Sequence, residues 1–401
     1  MSHQQTLSDW IEEVSKHFSN LSKPQAYVLA IFSFAMVAVQ SCGNSSIALF
    51  LALLLDEKEG SMRQKLREFC YNAKHKRGEK RREIDVQTCF VPLLNWILSC
   101  WAVDEKRIAL ALDASTLRQV FTVLSLSVVY RGCAIPIAWI IVPACKKGAW
   151  KPHWLNLLQI ISRCIPRDWL VIVLTDRGLY AKWLYKAIQK NDWHPFMRIN
   201  QGGKFRPLGQ VGFRDLVDVV RDTGCSWSGI VDCFKTKSAR LRCTLLARWD
   251  DGYSDPWLIL TDLAAEQACA AWYGMRGWIE QGFKDCKRGG FRWEQTKMTD
   301  PERATRLWLV IAVATLWAVL VGGEADANLP PSSLDVLPAN HIAHRTSKQR
   351  PQPRRLSCFK RGIITILVAL IKGQPIPSGY FTPEAWANDF EQFGGFQYVP
   401  T

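Results

Sequence analysis

The sequence predicts an α/β protein: a mixed sheet flanked by helices, interrupted by a β-rich insertion and bracketed by a helical N-terminal region and a helical C-terminal tail. Three observations predict it. Residues 1–100 carry helical periodicity. From Lys106 the apolar runs shorten to strand length and alternate with helical stretches. Residues 201–262 are punctuated by Gly202, Gly203, Gly209, Gly212 and Gly224, with short strand-like runs between them. Hydrophobic residues make up 48% of the 401, enough for a large core.

In order along the chain, Ser8 is placed to cap a first helix with Trp10, Ile11, Val14 and Phe18 on one face. Pro24 opens a second helix, and Ser45 begins a third that runs to Leu55. Arg107 to Leu112 is a short apolar strand ending at Asp113. Phe121 to Val129 and Ala134 to Val142 form a hairpin around Tyr130-Arg131-Gly132-Cys133. Trp154 to Cys164 is a helix, and Trp169 to Leu174 is an all-apolar central strand leading into Asp176. Leu179 to Gln189 is helical and His194 to Ile199 is a strand. The insertion offers strands at Gly229 to Phe234, Arg240 to Ala247 and Pro256 to Leu260. A helical region then runs from Ala264 to Val321 with a break at Gly289-Gly290, and Ile363 to Ile371 is a last short helix. The expected domains are 1–100, 101–322 with its insertion at 201–262, and 323–401.

Lys plus Arg number 51 against 36 Asp plus Glu, a net charge of +15, which points to a polyanionic partner. The densest basic run, Lys58 to Arg82, holds ten Lys or Arg and three Glu. It reads equally as a surface for the DNA backbone or as a solvated helix face. Arg345 to Arg361 carries seven more cations and no acid, for DNA or a second subunit. The apolar stretches Ala26 to Leu55 and Leu307 to Val321 are broken or short of the roughly 20 residues a membrane span needs, so core helices and no membrane are expected. Met1 to Asn20 is polar, and 13 Cys without a CxxC pair read as reduced thiols rather than a disulfide framework or zinc site. His341 and His344 have helical spacing but no Cys or acid beside them, so a metal role is not expected.

Asp113 and Asp176 each follow an apolar strand, where a carboxylate projects from a rigid sheet and suits a metal ligand. Strand-ending turns use Asp too, so neither is diagnostic alone. Tyr273, Arg276, Glu280 and Lys287 are spaced by 3, 4 and 7 residues. On a helix they fall within about 60° of one another, presenting one acid amid cations. Such a stripe suits a metal ligand flanked by phosphate contacts, or an ordinary face of ion pairs.

The pattern Tyr273-x2-Arg276-x3-Glu280-x6-Lys287 matches the YREK signature of bacterial insertion-sequence DDE transposases, and the contexts Leu112-Asp113-Ala114 and Thr175-Asp176-Arg177 resemble that family as well. The resemblance covers roughly residues 105 to 320. It implies an RNase H-like catalytic domain in which Asp113, Asp176 and Glu280 hold two Mg²⁺, or Mn²⁺ in their place, about 4 Å apart. It implies cleavage at transposon-end inverted repeats of double-stranded DNA and joining of the 3′ ends to target DNA, by a homodimer in the bacterial cytoplasm at the nucleoid. Tyr273, Arg276 and Lys287 would bind end phosphates, with Arg177, Lys284 and Arg288 as further DNA contacts. Trp227, Trp249 and Trp257 are candidates to stack on a flipped base if a hairpin forms, or buried aromatics. Gly274, Gly277 and Gly282 weaken the signature helix and require compensation by packing or by close DNA approach. Rival readings are an RNase H-like nuclease or integrase without transposition, an inactive DNA-binding descendant, and a membrane protein.

Overall fold

A computed structural model describes residues 3–78, 81–144, 150–327, 356–383 and 386. The N-terminal region forms helices α1 (His3–His17), α2 (Lys23–Val39), α3 (Asn44–Leu55), α4 (Glu59–Cys70) and α5 (Phe90–Ser99). Ser8 lies inside α1 instead of capping it, while Ser22 caps α2 through a capping box with Gln25. Strand β1 (Arg107–Leu117) begins the sheet, followed by β2 (Phe121–Tyr130), β3 (Cys133–Pro143), α6 (Lys151–Ile161), β4 (Leu170–Thr175), α7 (Lys182–Gln189) and β5 (His194–Arg198).

The insertion contributes β6 (Lys204–Pro207), β7 (Arg214–Asp215), β8 (Ser226–Cys233), β9 (Leu241–Arg248) and β10 (Trp257–Thr261). All ten strands belong to one sheet in the order β3-β2-β1-β4-β5-β10-β9-β8-β6-β7. The expected five-stranded mixed sheet is its first half. The insertion continues it edge to edge, because β10 pairs with β5 through Leu260–Met197 and Ile259–Arg198. An edge strand of the core is thereby covered, which removes a row of unpaired backbone groups.

The β2–β3 hairpin turns at Arg131 and Gly132, with φ of 45° and 80°. Positive φ at both central residues is the turn that matches strand twist, and glycine takes it without a Cβ clash. Every residue of β2 is buried. Alternate side chains point to opposite faces, so full burial means helices cover both. Two of the polar residues this traps, Ser125 and Ser127, hydrogen-bond each other at 3.1 Å.

The signature region is not one long α-helix. Residues Ala270–Arg276 form 3-10 turns, α8 covers Gly277–Cys286, and Lys287 lies just past its end. The stripe expected from a 100° period therefore does not exist as such. Helix α9 (Pro301–Ala327) is longer than the sequence suggested. Its length and apolarity match a membrane span, yet 94% of its most apolar window is buried inside the protein. It is the core helix that α2 and β3 pack around, and Trp317 on it stacks on Trp10 at 4.2 Å. Arg306, buried on α9, donates to the carbonyls of Ile84 and Cys70 at 3.1 Å each, tying the basic segment to the core.

Helix α10 (Cys358–Ile371) packs on α9 so closely that a Cβ on Gly362 would lie 1.7 Å from the Ala318 carbonyl oxygen. The C-terminal segment continues over the sheet, where the Thr382 carbonyl accepts from Tyr130 Oη at 3.0 Å and Trp386 covers Arg107. His341, His344 and most of the second basic run lie outside the described residues. All the described cysteines are free thiols.

Gly282 faces β3: a Cβ there would sit 2.8 Å from Ala134 Cβ and 3.0 Å from its carbonyl oxygen. Packing is thus what offsets its poor helix propensity. Gly282→Ala gains about 1 kcal/mol of propensity but forces an overpacked contact costing about 1–3 kcal/mol. We expect a net loss in urea denaturation; a variant as stable as the parent would contradict the close approach. Asp285 in α8 is buried, which pushes its carboxyl up to about 7 despite a 2.9 Å hydrogen bond from Gln281. The fold then holds a proton that the unfolded chain has lost, so this group costs stability as pH climbs from about 4 to 7. Asp285→Asn should therefore gain melting temperature relative to the parent as pH is raised across that window, and a pH-independent difference would sink the assignment.

Candidate active site

The register of two parallel strands brings the aspartates together. β1 pairs with β4 from Arg107–Leu170 to Leu112–Thr175. Asp113 and Asp176 are the next residues in the chain, one within β1 and one just past β4. They sit side by side where β4 stops. β1 itself continues to Leu117 against β2, so Asp113 lies within the strand and not at its end as the sequence suggested. Burial explains the location: residues 108–112 are buried, and from Asp113 the strand emerges from the core.

Helix α8 supplies the third acid. Its packing through Gly282 onto β3 presents Glu280, in the first turn, toward the same point. There Arg276 joins all three. Its Nη2 is 3.0 Å from Asp113 Oδ2 and 3.5 Å from Asp176 Oδ2, and its Nη1 pairs with Glu280 Oε1. Backbone amides take the remaining aspartate oxygens: Ala114 N donates to Asp113 Oδ1 at 2.8 Å, and Leu179 N to Asp176 Oδ1 at 2.9 Å.

Burial pushes the Asp113 carboxyl up to about 6, and the Arg276 guanidinium opposes that shift. Three carboxylates meeting in a partly buried place repel one another and need a cation among them. A set of hard oxygen donors with no Cys or His is the chemistry that Mg²⁺ and Mn²⁺ prefer. The donor set therefore fits a divalent ion. In the arrangement seen, however, the acids surround the guanidinium, and no group of three or more His, Cys, Asp or Glu among the described residues is spaced to hold a metal.

Around this centre, Lys287 donates to Ser115 Oγ at 2.7 Å and the Thr116 carbonyl at 2.9 Å, and burial lowers its pKa. Tyr273 is buried beneath Trp257, ring centroids 5.2 Å apart, and burial raises its phenol. The sequence pictured it exposed beside the phosphate contacts; instead it lies within the wall of the site. Lys284 and Arg288 are exposed near the end of α8. Arg177, beside Asp176, pairs with Asp255 at 3.0 Å, and Arg198 pairs with the same carboxylate oxygen at 2.9 Å. Of the three tryptophans, Trp257 stands against the site, with Tyr253 on its other side. Trp249 donates to the Tyr253 carbonyl at 2.9 Å, and Trp227 packs on Phe205 within the insertion.

Sequence reasoning missed Ser115, Thr116, Arg198 and Asp255. Ser115 was findable, two residues beyond Asp113 and hence on the same strand face. The Arg177–Asp255 pair spans 78 residues and left no local signal.

The Transposase DDE domain matches residues 104–317. The chain belongs to the DDE transposase family. This match covers more than half the chain and takes in both aspartates, Glu280 and the insertion between them. No curated protein matches the chain significantly. Among solved structures it is similar to a piggyBac transposase synaptic complex with hairpin DNA, at 10% identity and a TM-score of 0.36, over 78% of this chain and 73% of that one.

Removing the central cation should be costly. Arg276→Gln leaves the acids facing one another, a loss of about 2–4 kcal/mol, below the fully buried case because Asp176 is partly exposed. Asp113 would be driven further up, and its neutral form is the one this fold favours. The loss should then grow between pH 5 and pH 8. Equal destabilisation at both pH values, by chemical denaturation, would count against the cluster.

Proposed function

We propose that this DDE transposase cuts DNA at the ends of its element and joins the 3′ ends to target DNA, with Asp113, Asp176 and Glu280 as its metal-binding catalytic acids. The observation that carries this reading is the convergence of these three side chains on one cation, from positions 63 and 104 residues apart. Two divalent ions, Mg²⁺ or Mn²⁺, would supply activation of water or a 3′-hydroxyl and stabilisation of the leaving oxygen.

The chain's own residues do the rest. The side-by-side aspartates and Glu280 hold the cationic centre at the rim of the sheet. Exposed Lys284 and Arg288, with Arg177 paired to Asp255 beside Asp176, would take backbone phosphates of a duplex. Lys287 holds the emergent end of β1 and shares that cationic rim. Trp257 is the best placed of the three tryptophans to meet an unstacked base, because it borders Tyr273.

In the N-terminal basic run, some cations are already engaged locally: Arg63 pairs with Glu59, and Lys65 with Glu57 at 3.1 Å. The net +15 of the chain still favours a polyanion, and we assign end binding to the N-terminal helices with the run that follows them. Two ends must meet for joining, which makes a homodimer at the nucleoid the working form.

The test is Glu280→Gln. It should abolish Mg²⁺-dependent cleavage of end-containing duplexes, by at least a hundredfold, while leaving duplex affinity in gel shift within a few-fold. Cleavage retained in that variant would remove Glu280 from the mechanism.

A further inference from the structure

We propose that Arg276 is a displaceable counter-ion: it fills the place a divalent ion would take, and DNA draws it out, so that metal binding and DNA binding are coupled through this one side chain. The inference rests on the metal-dependent reading above and adds to it a device that keeps the site closed to metal until DNA arrives.

The geometry points this way in three respects. First, a single guanidinium serves all three acids, with Nη2 on Asp113 and Asp176 and Nη1 on Glu280. A metal ion needs carboxylate oxygens at about 2 Å, and the guanidinium stands between them. Two cations cannot share that space, both for steric reasons and because they repel.

Second, the acids are arranged for the guanidinium. Among the described residues no trio of acids is drawn together at metal spacing, while each of these three contacts the arginine. Departure of Arg276 is therefore what would free the three side chains to close around an ion.

Third, the side chain has somewhere better to go. Among the described residues its buried Nε has no hydrogen-bond partner. It extends from the 3-10 turns just before α8, and not from the body of that helix. A phosphate oxygen pair accepts a guanidinium in bidentate fashion and satisfies donors that the present pose leaves unused. Exposed Lys284 and Arg288 near the end of α8, and Arg177 beside Asp176, would bring such a phosphate near.

Linkage then requires reciprocity: whatever factor DNA adds to metal affinity, metal adds to DNA affinity. The experiment is Mn²⁺ titration by calorimetry and electron paramagnetic resonance, with and without a short blunt DNA duplex. It compares the full chain, Arg276→Gln, Arg276→Lys and Asp113→Asn. Arg276→Lys keeps a cation for folding but lacks the planar fork that spans the three acids. Melting temperature in EDTA checks that each variant is folded.

We expect the parent to bind Mn²⁺ at least tenfold more weakly than Arg276→Gln or Arg276→Lys when DNA is absent. Duplex should tighten the parent by a similar factor and leave Arg276→Gln nearly unchanged. Asp113→Asn should lose the site with or without duplex. Equal Mn²⁺ affinity in the parent and both arginine variants, with no response to duplex but sensitivity to Asp113→Asn, overturns the counter-ion while keeping the metal site. Absence of Asp113-dependent Mn²⁺ binding in every protein, with duplex present, overturns the metal-dependent reading itself and this inference with it.

Discussion

Like charges held together in a partly buried place set the terms for this molecule. Asp113, Asp176 and Glu280 face one another where the sheet emerges from its core, and burial already raises Asp113 to about 6. Such a cluster keeps all three acids ionised only around a cation. Arg276 is the cation present, and the architecture around it is what makes the convergence rigid. Two aspartates are neighbours because parallel strands β1 and β4 run in register up to Leu112 and Thr175. The glutamate reaches them because α8 lies against β3 with no side chain at Gly282 to hold it off.

The rest of the fold can be understood as support for that placement. Helix α9 is apolar on nearly every face because it is enclosed, by α2 and α4 from the N-terminal region, by β3, and by α10 from the C-terminal one. Regions distant in sequence thus share one core. The close contact of Gly362 with Ala318, and the buried Arg306 holding the carbonyls at 70 and 84, fix the flanking segments to the core that carries the sheet. The insertion adds five strands to that sheet, and its Asp255 meets Arg177 and Arg198 beside Asp176. Through β10 it also delivers Trp257 to the wall of the site.

Much of this was legible in the residues. The hairpin at Arg131-Gly132, the buried strand before Asp176 and the acid-among-cations spacing around Glu280 are local patterns with direct physical causes. What was illegible depended on tertiary partners. Apolar content alone ends β1 at Leu112; its extension to Leu117 comes from pairing with β2. A 100° period places Tyr273, Arg276, Glu280 and Lys287 on one helical stripe, but the chain winds as 3-10 turns before α8 and leaves it at Lys287. Tyr273 could not be known as buried without Trp257 above it. The compensation for Gly282 was invisible until Ala134 was seen opposite. The Arg276 contacts show why spacing was nonetheless a good guide: the signature residues converge through the sheet's geometry even though no single helix face carries them.

On DNA, the three acids would form one metal centre. Anomalous diffraction at the manganese edge, from crystals of the chain with duplex DNA and Mn²⁺, tests it most directly. The account predicts manganese peaks within about 2.5 Å of carboxylate oxygens of Asp113, Asp176 and Glu280 together, with the Arg276 guanidinium moved onto phosphate. Well-ordered DNA at the site with manganese bound elsewhere, or none at these three side chains, would contradict it.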